Sequence, residues 1–124
     1  MTKKQNSKQY DLEDKTFEFA RRVRSFVKKL PKTLANIEDE KQLIKSSGSV
    51  GANYIEANEA LSKKDFINRI KISRKEAKEC RYWLNLIQSA NAKFEAEVDE
   101  LAQEATELMN ILGSILIKSA KSTS

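Results

Sequence analysis

The chain has 124 residues, 33% of them charged, with a formal net charge of +5, one proline and three glycines; that length and shortage of turn formers fit one mostly helical domain. No histidine and a single cysteine exclude a His-containing zinc site, a Ser–His or Cys–His couple and an internal disulfide. No apolar run approaches the ~18 residues of a membrane span, the N-terminus lacks the apolar core of a signal peptide, and a cytoplasmic protein with no membrane partner is expected.

Residues 1–10 read as a flexible basic segment. A first helix is expected over about 12–30, capped by Asp11 or Asp14 and stopped by Pro31. At 100° per residue, Leu12, Phe19, Ala20, Val23, Phe26, Val27 and Leu30 share one arc, with Arg21, Arg22, Lys28 and Lys29 on the other side. Phe17 falls among the charged residues and reads either as a half-covered edge aromatic or as a contact with a subunit or ligand.

A second helix is expected over about 37–61. It contains SSGSVGANYIEA (46–57), which at first sight resembles a phosphate-cradling loop. Neither a preceding strand nor the GxxxxGK[ST] spacing is present. Moreover, Leu43, Ile44, Ser47, Gly48, Val50, Gly51, Tyr54, Ile55 and Leu61 stay on one arc straight through the glycines, while Lys45, Ser49, Asn53 and Glu56 take the opposite side. Each interior glycine costs a helix roughly 1 kcal/mol relative to alanine, so a close neighbour should offset the cost. The small middle of the third helix is the expected neighbour.

That third helix is expected over about 63–90, with Ser62 and Asp65 at capping-box spacing. Phe66, Ile70, Ser73, Ala77, Cys80, Leu84 and Ile87 alternate by four and three, as the seam of a bundle helix does. Cys80 lies in this seam and reads as a small core residue rather than a nucleophile. Ile72, Glu76, Glu79, Trp83 and Leu86 form a side stripe, and Lys64, Lys71, Arg74, Lys75 and Lys78 another flank. A fourth helix is expected over about 95–119, with Leu101, Ala105, Leu108, Leu112, Ile115 and Ser119 inward, acids at its start and lysines at its end. Residues 121–124 read as a frayed tail. Four such helices with short links imply an all-α, antiparallel up-down-up-down four-helix bundle; one long coiled coil is the alternative.

Charge alternates along the chain: +6 over 1–33, −3 over 34–62, +6 over 63–93 and −4 over 94–124. Neighbouring helices can neutralise one another, yet a positive surplus remains on the first and third. Arg21, Arg22, Lys28, Lys29, Lys64, Lys71, Arg74, Lys75 and Lys78 are therefore the candidate contacts to RNA or DNA, through phosphates rather than base edges. No helix-turn-helix, zinc-finger or RNP-like motif is present. The competing reading is a protein-interaction scaffold or accessory subunit with a protein partner. No enzymatic activity and no cofactor are expected; only a pocket joining Glu56, Glu76 and Glu79 around a metal would revive that class.

The segments SSGSVGANYIEA (46–57), ALSKKDFI (60–67) and RKEAKECRYWLNLI (74–87), with DLEDKTFEFARRV (11–23) and ILGSILIKSAK (111–121), together resemble the bacterial 23S ribosomal RNA intervening-sequence proteins. The resemblance implies a four-helix bundle assembled as a ring-like homopentamer, of unsettled biochemical role. It also implies a likeness in fold to the accessory protein of diversity-generating retroelements, a basic pentameric barrel that contacts nucleic acid and its reverse transcriptase. The family's recurrent positions match Ser49, Asn53, Glu56, Glu76, Glu79, Trp83 and Leu84 here. Because the first six lie off the seams, they are expected at contacts between helices or subunits.

Overall fold

In the computed structural model, residues 8–121 are described; residues 1–7 and 122–124, which include most of the expected flexible N-terminus and tail, lie outside them. Four helices follow one another: α1 (Lys8–Val27), α2 (Leu34–Asn58), α3 (Lys63–Ala90) and α4 (Glu95–Lys121), the last entered through a 3-10 turn at Ala92–Phe94. Each helix packs on its predecessor, and α4 returns to α1. Links this short reverse the chain direction each time, which gives the up-down-up-down four-helix bundle.

Local chemistry sets the ends. α1 begins before Asp11 and Asp14, so Asp14 is an interior residue rather than a cap. Its end falls before Pro31, in a tightened turn where Lys29 N–H donates to the Phe26 carbonyl and Leu30 N–H to that of Val27; Leu30 stays buried beyond the helix. α2 starts at Leu34, earlier than the apolar pattern suggests, because Thr33 is extended and its side chain accepts from Asn36 N–H. Ser62 does the same for α3, accepting from Asp65 N–H at 3.1 Å. α2 closes at Asn58, which leaves Leu61 in the following link and 99% exposed, not on the buried arc.

The core is one cluster. α1 contributes Phe19, Val23 and Phe26, α2 Leu43 and Val50, α3 Ile70, Ala77, Cys80, Leu84 and Ile87, and α4 Val98, Leu101, Leu108 and Leu112. Phe94 from the 3-10 turn meets Phe26 edge to face, with ring centres 6.0 Å apart. Ile115 and Ser119 are only half-buried, because the C-terminal turns of α4 reach the end of the bundle. Thus the seams read from periodicity are the buried faces, as helical geometry requires.

The neighbours of the small residues differ from expectation. Ser73 of α3 does approach α2, and its hydroxyl donates to the Val50 carbonyl at 2.7 Å. The glycines of α2 face α1 instead. A Cβ on Gly51 would stand 2.9 Å from Thr16 Oγ1 and 3.2 Å from Thr16 Cβ, and one on Gly48 would stand 3.4 Å from the Arg24 guanidinium. The α3 seam and α1 thus meet different flanks of α2, and the glycines face α1.

One end of the bundle is tied by two amides 55 residues apart. Asn36 Nδ2 donates to Asn91 Oδ1 at 2.9 Å and to the Pro31 carbonyl, while Asn91 Nδ2 donates to Asn36 Oδ1 at 2.8 Å and to the Ile87 carbonyl. Asn36 is 1% exposed, and its paired polar atoms meet the rule that buried polar groups find partners.

Candidate nucleic-acid interface

The cations of α1 and α3 have different fates. On α1, Arg21 pairs with Glu18 one turn earlier at 2.8 Å, and the guanidinium holds the Glu18 carboxyl below its usual range. Arg22 reaches α4 and binds Glu104 and, at 3.5 Å, Glu100. Burial pushes the Glu104 carboxyl up, more than the Arg22 charge pulls it down. Lys29 pairs with Glu97 of α4 at 2.8 Å. Of the four candidates in α1 and the turn that follows it, only Lys28 stands without an ion pair among the described residues. The acids that open α4 therefore neutralise α1, as the alternating charge suggested.

α3 is not neutralised in this way. Lys64, Lys71, Arg74, Lys75 and Lys78 are all exposed, and none is within ion-pair distance of a carboxylate among the described residues. The neighbouring stretch of α4, Met109–Lys121, contains no acid. Arg74 crosses toward it, lying 3.5 Å from where a Cβ on Gly113 would stand. At ~100° per residue, Lys64, Lys71, Lys75 and Lys78 fall within about 60° of arc, directly opposite the buried seam. Lys64 and Lys71 also line a shallow depression of about 660 Å³ with Ser62, Asp65 and Asn68. The result is a straight cationic ridge on one helix.

Tyr82 continues this ridge, one turn beyond Lys78, and was not among the residues singled out by the sequence. It is 58% exposed. Its ring meets Trp83 with centres 5.0 Å apart and planes at 76°, and Trp83 is half-buried against the core. Spacing carried the signal: Tyr82 follows Lys71, Lys75 and Lys78 at the same helical register.

The second group of candidates gathers along the outer junction of α2 and α3 within a single chain. Ser49 and Asn53 are half-buried and Glu56 is exposed. Asn53 Nδ2 donates to the Ser49 carbonyl at 2.9 Å, and Arg69 of α3 donates to Asn53 Oδ1 at 3.1 Å. Glu79 is exposed and Glu76 half-buried near Ser46 of α2. Burial, then the Glu79 charge, pushes the Glu76 carboxyl up, against the pull of Lys75, Lys45 and the Ser46 hydroxyl. Glu76 binds its proton more tightly folded than unfolded, so stability falls as pH rises above the ordinary value of 4.5. Glu76→Gln should therefore melt at a higher temperature than the parent at neutral pH, with the gap closing toward pH 4.5 and below; thermal melts across that range check the sign.

Two further features bear on chemistry. The Cys80 thiol is buried and pushed far up by that burial and by Glu76 and Glu79, so it stays protonated and unreactive. Among the described residues no three His, Cys, Asp or Glu side chains are grouped so as to hold a metal ion, and no helix is long and apolar enough to cross a membrane.

On the opposite side of the bundle, Phe17 of α1 and Ile55 of α2 are 65% and 45% exposed. They flank a groove of about 530 Å³ floored by Ala20, Gly48, Gly51 and Ala52 and rimmed by Arg21 and Arg24. Ile55 thus lies beside the apolar arc but outside the core, because α1 leaves this flank of α2 uncovered.

The family model described as 23S rRNA-intervening sequence protein matches residues 8–114. A crystal structure from Bacteroides thetaiotaomicron, described as a protein with unknown function from the S23 ribosomal protein family, is 33% identical. The match covers 89% of this chain and 98% of that one, with a TM-score of 0.78. No curated protein matches the chain.

Proposed function

The chain belongs to the 23S rRNA-intervening sequence protein family, and from that premise we propose that it is a non-enzymatic, homo-oligomeric bundle that binds RNA or DNA through backbone phosphates, with α3 as the binding face. The observation that carries the reading is the ridge of Lys64, Lys71, Lys75 and Lys78, none of which is within ion-pair distance of a carboxylate among the described residues. Lysine ammoniums left in water gain little from the fold itself, whereas a phosphate chain would release condensed counterions on meeting them. Arg21, Arg22 and Lys29 already satisfy carboxylates, so they contribute less than α3.

Filter binding of RNA and DNA at increasing salt tests this. Retention should fall steeply with salt and depend little on sequence. Reversing Lys71, Lys75 and Lys78 to glutamate should weaken binding at least tenfold and lower the salt slope by roughly two to three, with the melting transition kept. No retention at low salt would sink the reading. Recovery from cells of a protein partner, with no nuclease-sensitive material, would move it to an interaction scaffold.

Self-association is the second part of the proposal. The groove at Phe17 and Ile55 supports it, because apolar side chains rimmed by arginines suit a protein surface. Light scattering coupled to size exclusion should give about five times the 14.2 kDa chain mass; a monomer at that chain mass would remove the ring from the model of binding.

A further inference from the structure

We infer that the nucleic acid held on α3 is single-stranded, and that Tyr82 stacks on one of its bases. The inference rests on the phosphate-binding reading above and adds the ligand's strandedness to it. Three observations on one helix carry it: a lysine ridge outside ion-pair distance of any carboxylate among the described residues, an exposed aromatic in the same register, and a perpendicular contact between that aromatic and the half-buried Trp83.

Lys64 to Tyr82 spans about 27 Å at ~1.5 Å per residue. That is roughly eight nucleotides at the stacked rise of about 3.4 Å per strand. One line of ammoniums on one helix follows one sugar–phosphate backbone. Proteins that hold single strands without sequence preference combine such a line with aromatic platforms, since every base offers a π-face. The ridge has one platform, at its C-terminal end. In a duplex the bases are already stacked on each other and shielded by the backbones, so a side chain one turn beyond Lys78 would meet phosphates and sugars only.

Tyr82 is built for this contact. Its 58% exposure leaves ring surface in water. A perpendicular contact with Trp83 uses the ring's edge or one of its faces, so Trp83 leaves at least one face uncovered. Trp83 is packed against the core and touches the tyrosine ring; a ring with such a neighbour has fewer rotamers to lose when a base arrives. The same contact supplies a readout, because Trp83 is the chain's one tryptophan and its emission should change when a base covers Tyr82.

The test uses the full chain and three probes of equal length: an oligothymidylate, an abasic strand of the same charge, and a duplex. Tyr82→Ala should weaken oligothymidylate binding roughly 5- to 150-fold, the worth of stacking one base. It should leave abasic-strand and duplex binding unchanged, while Tyr82→Phe keeps oligothymidylate binding. Trp83 emission should respond to oligothymidylate in the parent chain and not to the abasic strand. An equal loss on all three probes, or no loss on any while Lys71, Lys75 and Lys78 remain necessary, would overturn the single-strand assignment and leave phosphate binding standing. Failure of every probe to bind at low salt would overturn the phosphate reading itself, and this inference with it.

Discussion

Gly51→Leu should cost the fold about 3 kcal/mol, the upper end of overpacking penalties, while Gly48→Ala three residues earlier should stabilise it by about 1 kcal/mol. Both glycines lie inside α2, where alanine is the better helix former, so local propensity alone predicts the same sign at both. The neighbours separate them. A Cβ on Gly51 would fall 2.9 Å from Thr16 Oγ1 and 3.2 Å from its Cβ. Thr16 is 1% exposed, and its hydroxyl donates to the Glu13 carbonyl. A short β-branched side chain held at both ends cannot swing aside, so any added atom must push α1 off α2. The nearest atom to a Cβ on Gly48 is the far end of the Arg24 side chain, at 3.4 Å, which can shift into water. Gly51→Ala should fall between the two and below the parent, since a clash within the roughly 1–3 kcal/mol range of overpacking outweighs a propensity gain of about 1 kcal/mol. Denaturant melts of the three variants settle it. If Gly51→Ala stabilises as much as Gly48→Ala, then α1 does not approach α2 as closely as described.

Asn36→Ala should destabilise the bundle by about 3 kcal/mol and Asn91→Ala by about 1–2 kcal/mol. Removing the buried Asn36 takes the partner from Asn91 Oδ1 and the Pro31 carbonyl and leaves Asn91 Nδ2 with the Ile87 carbonyl alone. Asn91 is half-buried, and water can replace part of what its loss removes. Because each amide serves the other twice, the double variant should be more stable than the sum of the single losses implies, by 0.5 kcal/mol or more. Simple additivity would show that the two amides act independently and do not tie the α1–α2 link to the end of α3. Both groups of variants probe places where helices are joined by polar or small atoms rather than by the apolar seams.

The seams themselves were legible in the sequence. Phe19, Val23 and Phe26, the run from Ile70 to Ile87, and Leu101 to Leu112 are buried as their spacing predicts. SSGSVGANYIEA is helix throughout, because its apolar phase continues across the glycines. The ends of the helices were less so. Thr33 starts α2 three residues early by capping, and an interior Asp14 replaces an expected cap, since a cap depends on one residue's backbone angles rather than on a repeating pattern.

Of the candidate site, the α3 lysines were visible as a flank, but nothing in the chain order marks which cations a neighbour will neutralise. Arg22 and Lys29 lie in sequence beside Lys28 and resemble it, yet they meet Glu104 and Glu97 from 82 and 68 residues away. Tyr82 escaped notice because a lone tyrosine on a polar stripe has no meaning until its exposure and its contact with Trp83 are known.

Four amphipathic helices, their order, most of the residues that face inward and the alternation of charge follow from the chain alone, because rise and rotation per residue are local constants of the helix. Only the tertiary structure decided which flank meets which neighbour. Each helix has two flanks beside its seam, and their assignment depends on rotations and separations set jointly by all four helices. That is why Gly51 rests on Thr16 rather than on α3, why acids of α4 pair with Arg22 and Lys29, and why Lys64, Lys71, Lys75 and Lys78 stand outside ion-pair distance of a carboxylate among the described residues.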